Sequence, residues 1–203
     1  MFSLSRRFKL RFVTGMRMIL VGVFFFALYM RAINIAINAL FSLSVTFLPA
    51  IIERNFEVPS DPGVTFLITL SVIAHAAGFL GFYEGFWWWD VVLHAFSSFV
   101  VAAVGYIIVK SVDSYYDEIY IPPNYIFLFI LMFTMAMGVL WEIFEFTASM
   151  TAKRFIEGPL LIQRGLNDTL EDLVSDMIGG AVFAFWGTGI VQDYVERIGE
   201  RFK

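Results

Sequence analysis

The chain has 203 residues, of which 59% are hydrophobic, 18% aromatic and only 16% charged, against about 45–50% apolar and about 25% charged in soluble domains. A soluble fold of this size does not bury so much apolar surface, and the net charge of −4 comes with no basic, aromatic-interleaved stripe that would make nucleic acid an expected partner. The absence of cysteine excludes disulfides and thiolate ligands, leaving oxygen and imidazole to bind any metal.

Residues 1–11 read as a basic amphipathic lead-in suited to an anionic membrane surface. No small-residue cleavage site follows residues 18–28, so a retained helix is expected rather than a cleaved signal. A bilayer span needs roughly 20 apolar residues, and the first candidate covers about residues 12–30. Arg31, Asn34 and Asn38 then interrupt a stretch that stays apolar to Ile52. One helix over residues 12–52 would measure about 60 Å, twice the hydrocarbon thickness, so a turn is placed near Arg31 and a second span at about 32–52. The Pro and Gly of ERNFEVPSDPG mark a loop. Further spans follow at about 64–82, 91–109, 125–150 and 170–191, and three successive tryptophans before Asp90 suit a membrane-interface belt. The expectation is therefore an all-α, polytopic transmembrane bundle of six spans in one domain, residues 1–203. With six spans, ten of the fourteen Lys and Arg share the side of the termini, and Arg31, Lys153, Arg154 and Arg164 fall opposite. The positive-inside rule then places both termini in the cytoplasm, in a multi-pass cell (inner or plasma) membrane protein.

This topology brings the ionisable residues to one level. At about 1.5 Å per residue, His75, His94, Glu142, Glu145 and Asp176 all lie roughly 7–12 Å below the outer ends of four helices that alternate in direction. Spacing gives each set a common face: Asp90 and His94 are i,i+4, Glu142 and Glu145 are i,i+3, and Asp168, Asp172 and Asp176 are i,i+4,i+8. Four buried carboxylates, Glu142, Glu145, Asp172 and Asp176, imply a gross insertion penalty of roughly 10 kcal/mol. Protonation neutralises one or two of them, whereas a bound cation neutralises several and supplies coordination. The expected cofactor is thus a divalent metal held by Asp90, His94, Glu142, Glu145, Asp168, Asp172 and Asp176. With imidazole present, Zn, Mn or Fe is favoured and Mg remains open.

Several of these residues have plainer readings. Asp168 in NDTLE serves as an N-cap with Glu171 completing a capping box, Asp90 caps the fourth span, and a buried His94 is a hydrogen-bonded core histidine. His75, in a small-residue stretch, fits packing or outer-sphere support of a ligand. Glu84 reads as a solvated loop charge, and Asn34 and Asn38 as interhelical hydrogen-bonding groups. The Glu142 and Glu145 pair has neither cap nor surface to serve.

The pieces His75 with Tyr83 and Glu84, Asp90-x-x-x-His94, Trp141-Glu142-x-x-Glu145, and Asp168-x-x-x-Asp172 leading to Gly180 and Ala181 resemble the signature of the YjdF-like family of inner-membrane proteins. They are more distantly similar to VanZ-like proteins. The resemblance covers roughly residues 64–185. A Trp-rich lead replaces the usual tyrosine before Asp90, and Asp176 stands where a small residue is expected. The resemblance implies a six-helix membrane fold without an established activity. The association of VanZ-like proteins with glycopeptide resistance points toward envelope lipids or lipid-linked substrates.

Three functions follow as expectations. The first is a metal-dependent enzyme acting on a lipid or lipid-linked headgroup near the extracytoplasmic face, with Glu142 or Glu145 as general base, Arg164 or Lys153 holding a phosphate, and His75, Glu84 and Arg164 as residues that support the ligands or bind substrate. The second is a cation or proton transporter. In the third, structural reading, the polar cluster serves helix packing. Membrane lipids are the expected partners, and homo-oligomerisation is left open.

Overall fold

Helix α1 (Arg6–Tyr29) begins where the Ser5 hydroxyl accepts from the Phe8 N–H at 3.2 Å, which satisfies one of the orphan donors of a first turn. The computed structural model describes residues 5–56, 61–115, 119–156, 160–161 and 163–202. Residues 6–11 form the opening turns of α1; the lead-in expected there is continuous with the span. Five further helices are long and apolar enough to cross a membrane: α2 (Ile33–Asn55), α3 (Pro62–Gly85), α4 (Trp89–Asp113), α5 (Pro123–Ala152) and α6 (Leu166–Glu196). No strand occurs among the described residues. The six-span, all-α expectation therefore holds, with each span starting or ending a few residues beyond its expected bounds.

The turn between α1 and α2 has a specific cause. Arg31 adopts φ 59°, its N–H donates to the Leu28 carbonyl at 3.1 Å, and the Ala32 N–H donates to Ala27 at 2.9 Å. This is a Schellman ending, a geometry in which glycine normally supplies the left-handed residue. Arginine there carries a Cβ penalty of about 1–2 kcal/mol. Arg31→Gly is therefore expected to raise stability by about 0.5–1 kcal/mol, after the added freedom of the unfolded chain is subtracted. Thermal melting of the detergent-solubilised variant checks this.

The other ends follow local chemistry. Asp61 caps α3 by accepting from the Gly63 N–H at 2.7 Å and the Val64 N–H at 3.2 Å, and Pro123 opens α5 with φ preset. At the far end of α4, Asp113 pairs with Lys110 and accepts from the Ile121 N–H at 2.7 Å. A second turn, at Thr46–Phe47, interrupts α2. Arg17 of α1 answers it, donating to the Thr46 carbonyl at 2.6 Å and to its hydroxyl at 3.0 Å, with its guanidinium 4.0 Å above the Phe47 ring. Carbonyls freed inside the hydrocarbon layer must find such donors.

Packing divides the bundle into two groups of three. Helix α1 packs on α2 and α3, and α2 also packs on α3; α4, α5 and α6 pack on one another, and the groups join where α3 meets α4. Small residues allow the closest approach. Gly179 of α6 lies so near the Ala95 carbonyl of α4 that a Cβ would overlap it. At one end of the second group, Ala102, Tyr106, Ile130, Phe183, Val191 and Val195 belong to a buried apolar cluster. The other end of the same three helices is polar. Outward-facing Phe25, Met132, Ile143 and Phe185 are exposed, as lipid contact requires.

Candidate metal centre

The site is built from the first turns of α4 and α6, the last turns of α5 and the end of α3. Asp90, Glu142, Glu145, Asp172 and Asp176 are each no more than 7% exposed, so five carboxyl groups are withdrawn from solvent within one end of the bundle. His94 stands among them with its two nitrogens differently engaged. Nδ1 lies 3.2 Å from Asp176 Oδ1, and the same oxygen accepts from the Ser98 hydroxyl at 2.6 Å. Nε2 lies 3.9 Å from Asp90 Oδ1 and 3.8 Å from Asp172 Oδ1. These separations exceed a hydrogen bond. They are wider than the roughly 3.3–3.6 Å between two ligands of a tetrahedral ion at about 2.0–2.2 Å from each, so the three groups would have to close by a few tenths of an ångström around one. Asp90, His94 and Asp172 each offer a ligand atom, all within 4.8 Å of one another.

The remaining expected residues surround this triad. Glu142 Oε2 accepts from the Gln163 amide at 3.4 Å, while its Oε1 is buried without a hydrogen-bond partner. Glu145, one turn away, feels the charges of His94, Glu142, Asp90 and Asp172. Asp168 does not cap its helix, because α6 begins at Leu166 with Gly165 before it. It turns back instead, accepting from the Arg164 backbone N–H at 2.8 Å and from Arg164 Nη1 at 3.0 Å. Nη1 also donates to Asp90 Oδ2 at 2.9 Å. A cation from the α5–α6 loop thus reaches the carboxylates that sequence distance alone left without one. Burial works against the Arg164 charge, but hydrogen bonding and charge from Asp168, joined by those from Asp90, outweigh it and raise its pKa.

His75 stands outside the triad. Its Nδ1 is 2.8 Å from the Tyr83 hydroxyl and its Nε2 is 3.4 Å from the Asn38 amide nitrogen, with the Phe79, Tyr83 and Trp141 rings edge-on to it. A kink within Gly78–Phe82, where Gly81 has φ 113°, folds Tyr83 back toward His75. The Tyr83 ring occupies the space where a Cβ of Gly78 would stand, so glycine there permits the contact. Glu84 is exposed on the far side of this turn.

The model of a family described as predicted membrane protein (DUF2238) matches residues 12–193, which takes in every group just described. The chain belongs to this family. An uncharacterized protein of Thermotoga maritima is 31% identical over 135 residues, and the chain spans 66% of that relative's length, with 66% of its own covered. No solved structure matches. Within the DUF2238 match, two site residues were not singled out by sequence reasoning. Gln163 bridges Glu142 and the Thr169 hydroxyl, the latter at 3.0 Å, and carries no signal beyond its place just before Arg164. Gly138 on α5 makes room for Asp176, whose Oδ2 a Cβ would strike; its signal was its position four residues before Glu142, on the same helical face.

Proposed function

We propose that Asp90, His94 and Asp172 hold a divalent cation and that the protein is a metal-dependent enzyme acting on lipid or lipid-linked headgroups. The observation that carries this reading is the orientation of His94. A neutral His94 that donates through Nδ1 to Asp176 directs its Nε2 lone pair between the Asp90 and Asp172 carboxylates. A histidine metal ligand steadied by a carboxylate on its other nitrogen has this arrangement. A proton on Nε2 would offset one negative charge of the cluster, where a divalent cation offsets two. Imidazole in the set favours Zn, Mn or Fe, with Mg as the less expected occupant.

A cation held by Asp90, His94 and Asp172 would supply the Lewis acidity that makes a water nucleophilic near neutral pH. Glu142, whose Oε1 is buried without a hydrogen-bond partner, would take the proton, and Glu145 would support it. Arg164 holds Asp90 and Asp168 in register at the mouth and offers its remaining N–H groups to substrate. Asp176 serves as the orienting carboxylate. The lysine and arginine distribution supports cytoplasmic termini, which would put the site at the extracytoplasmic face. The likeness to YjdF-like and VanZ-like proteins is proposed alongside, as the source of the envelope-lipid direction.

The test is a panel of lipid and lipid-linked substrates offered to the purified protein after chelation and reloading with Zn, Mn, Fe or Mg. Metal-restored turnover is expected, lost in Glu142→Gln while the bound metal stays. Metal flux across proteoliposomes without turnover would replace the enzyme by a transporter, and no bound metal under any preparation would reduce the cluster to packing.

A further inference from the structure

Below His94, on the side of Asp176, lies a cavity of about 210 Å³. Its lining includes the polar Ser71 and His75 of α3, Ser97 and Ser98 of α4 and Asp176 of α6, and the apolar Val45 of α2, Val101 of α4 and Met137 of α5. Ser42 of α2 also lines it and is 0% exposed. The Ser42 Oγ has no hydrogen-bond partner, and an orphaned hydroxyl at this depth is unfavourable until something pairs with it. Ser71 and Ser97 already bond each other at 2.7 Å, so the unmet need is local to the α2 side.

The cavity lies along the flank where the two three-helix groups do not close. Helices α2 and α5 lack close backbone packing. They are bridged by rings, Phe41 standing 6.3 Å from Trp141 and 5.9 Å from Phe144. Phe41 and Met137, which border the cavity, are both exposed on the flank. In a bilayer this flank faces acyl chains, so a ligand arriving through it comes from lipid and not from water.

We propose that this cavity is a side-entry binding site for a long-chain membrane alcohol, a lipid whose polar end is an uncharged hydroxyl. A hydroxyl both donates and accepts, which matches the unpartnered Ser42 hydroxyl on one hand and the Asp176 carboxylate on the other. An anionic end would meet Asp176 with Asp172 and Glu142 behind it, where like charges in a poorly screened interior repel strongly. A cationic end would have to shed its water in hydrocarbon to reach a carboxylate already bonded to Ser98 and His94. At about 30 Å³ per water the space equals roughly seven waters, enough for the polar end and the first carbons while the remaining chain trails between α2 and α5. The proposal deepens the enzymatic reading by naming a class of lipid; it rests on that reading for turnover, not for binding.

The experiment uses the purified full chain, a diazirine-bearing hexadecanol, and the same chain ending in phosphate. The alcohol is expected to label residues 33–55 and 123–152, to be competed by excess unlabelled hexadecanol, and to label about tenfold more than the phosphate, a difference of roughly 1.4 kcal/mol in affinity. Val45→Trp, which fills the cavity, should lower labelling about tenfold, while Val139→Trp on the exposed outer face of α5 should leave it unchanged. Labelling that persists after chelation and in Asp172→Asn separates this site from the metal reading. Equal labelling by alcohol and phosphate, or labelling that unlabelled alcohol does not compete, overturns the proposal whether or not Val45→Trp folds. Full labelling of a monodisperse Val45→Trp protein overturns it as well.

Discussion

His94→Ala is expected to empty the proposed metal centre, lowering any divalent occupancy of the purified protein to background, while the helical content is retained. The imidazole is the one ligand that is uncharged when bound, and it sits between Asp90 and Asp172 at 3.9 and 3.8 Å. Without it two carboxylates remain, a set that holds a transition metal poorly. Asp176→Asn is expected to be milder. An amide in place of the carboxylate leaves the metal ligands intact but loses the charge that steadies Nδ1, and supporting changes of this kind typically weaken metal binding 10–100-fold. The order of effects is the informative part, and it is read by elemental analysis of the purified variants together with Zn and Mn titration calorimetry. Equal loss in both variants would make Asp176 a ligand in its own right. No loss in His94→Ala would remove the triad from consideration.

Gly179→Ala is expected to be the most damaging single-methyl change in the bundle. The added Cβ would overlap the backbone carbonyl of Ala95, and no rotamer relieves a clash with main chain. Helix α6 must move off α4, and overpacking of this kind costs about 1–3 kcal/mol. The same displacement carries Asp172 and Asp176 away from Asp90 and His94, so metal affinity should fall together with stability. Gly180→Ala is the control. Its Cβ meets Thr134 Cγ2 at 3.0 Å and Cβ at 3.2 Å, a side-chain contact that a shift of a few tenths of an ångström relieves, and the expected cost is about 1 kcal/mol. Thermal unfolding in detergent, with and without metal, measures both. A Gly179→Ala protein as stable as the parent would mean that α4 and α6 do not approach so closely.

The spans were legible because bilayer thickness imposes a length that apolar runs reveal directly. So was the gathering of Asp90, His94 and Asp172, because i,i+4 spacing on helices of opposite direction determines both face and depth. The break at Arg31 could be located only by arguing that one helix would be too long. Its mechanism was hidden, since an arginine occupies the left-handed position where glycine would have announced it. The sequence pointed to Arg164 as a substrate-holding residue but not to its contacts with Asp90 and Asp168. It lies in a loop, and rise-per-residue arithmetic assigns depth to helices but not to the reach of a long side chain folding back over a helix start. Nor does spacing say which nitrogen of His94 faces which carboxylate, and that orientation separates a ligand from its support. The kink that swings Tyr83 onto His75 follows from Gly78 and Gly81, whose sequence context reads equally well as simple close packing.

The apolar cluster around Phe183 and Ile130 lies at the opposite end of α4, α5 and α6 from the carboxylates. Cohesion and chemistry therefore occupy different storeys of the same three helices. On the proposed metal reading, stripping the ion would leave the lower storey fastened, so the metal-free protein is expected to stay folded and to accept metal again. That makes one preparation serviceable for exchanging one cation for another, and it allows acidic substitutions in the upper storey to be judged by what they bind rather than by whether the protein survives.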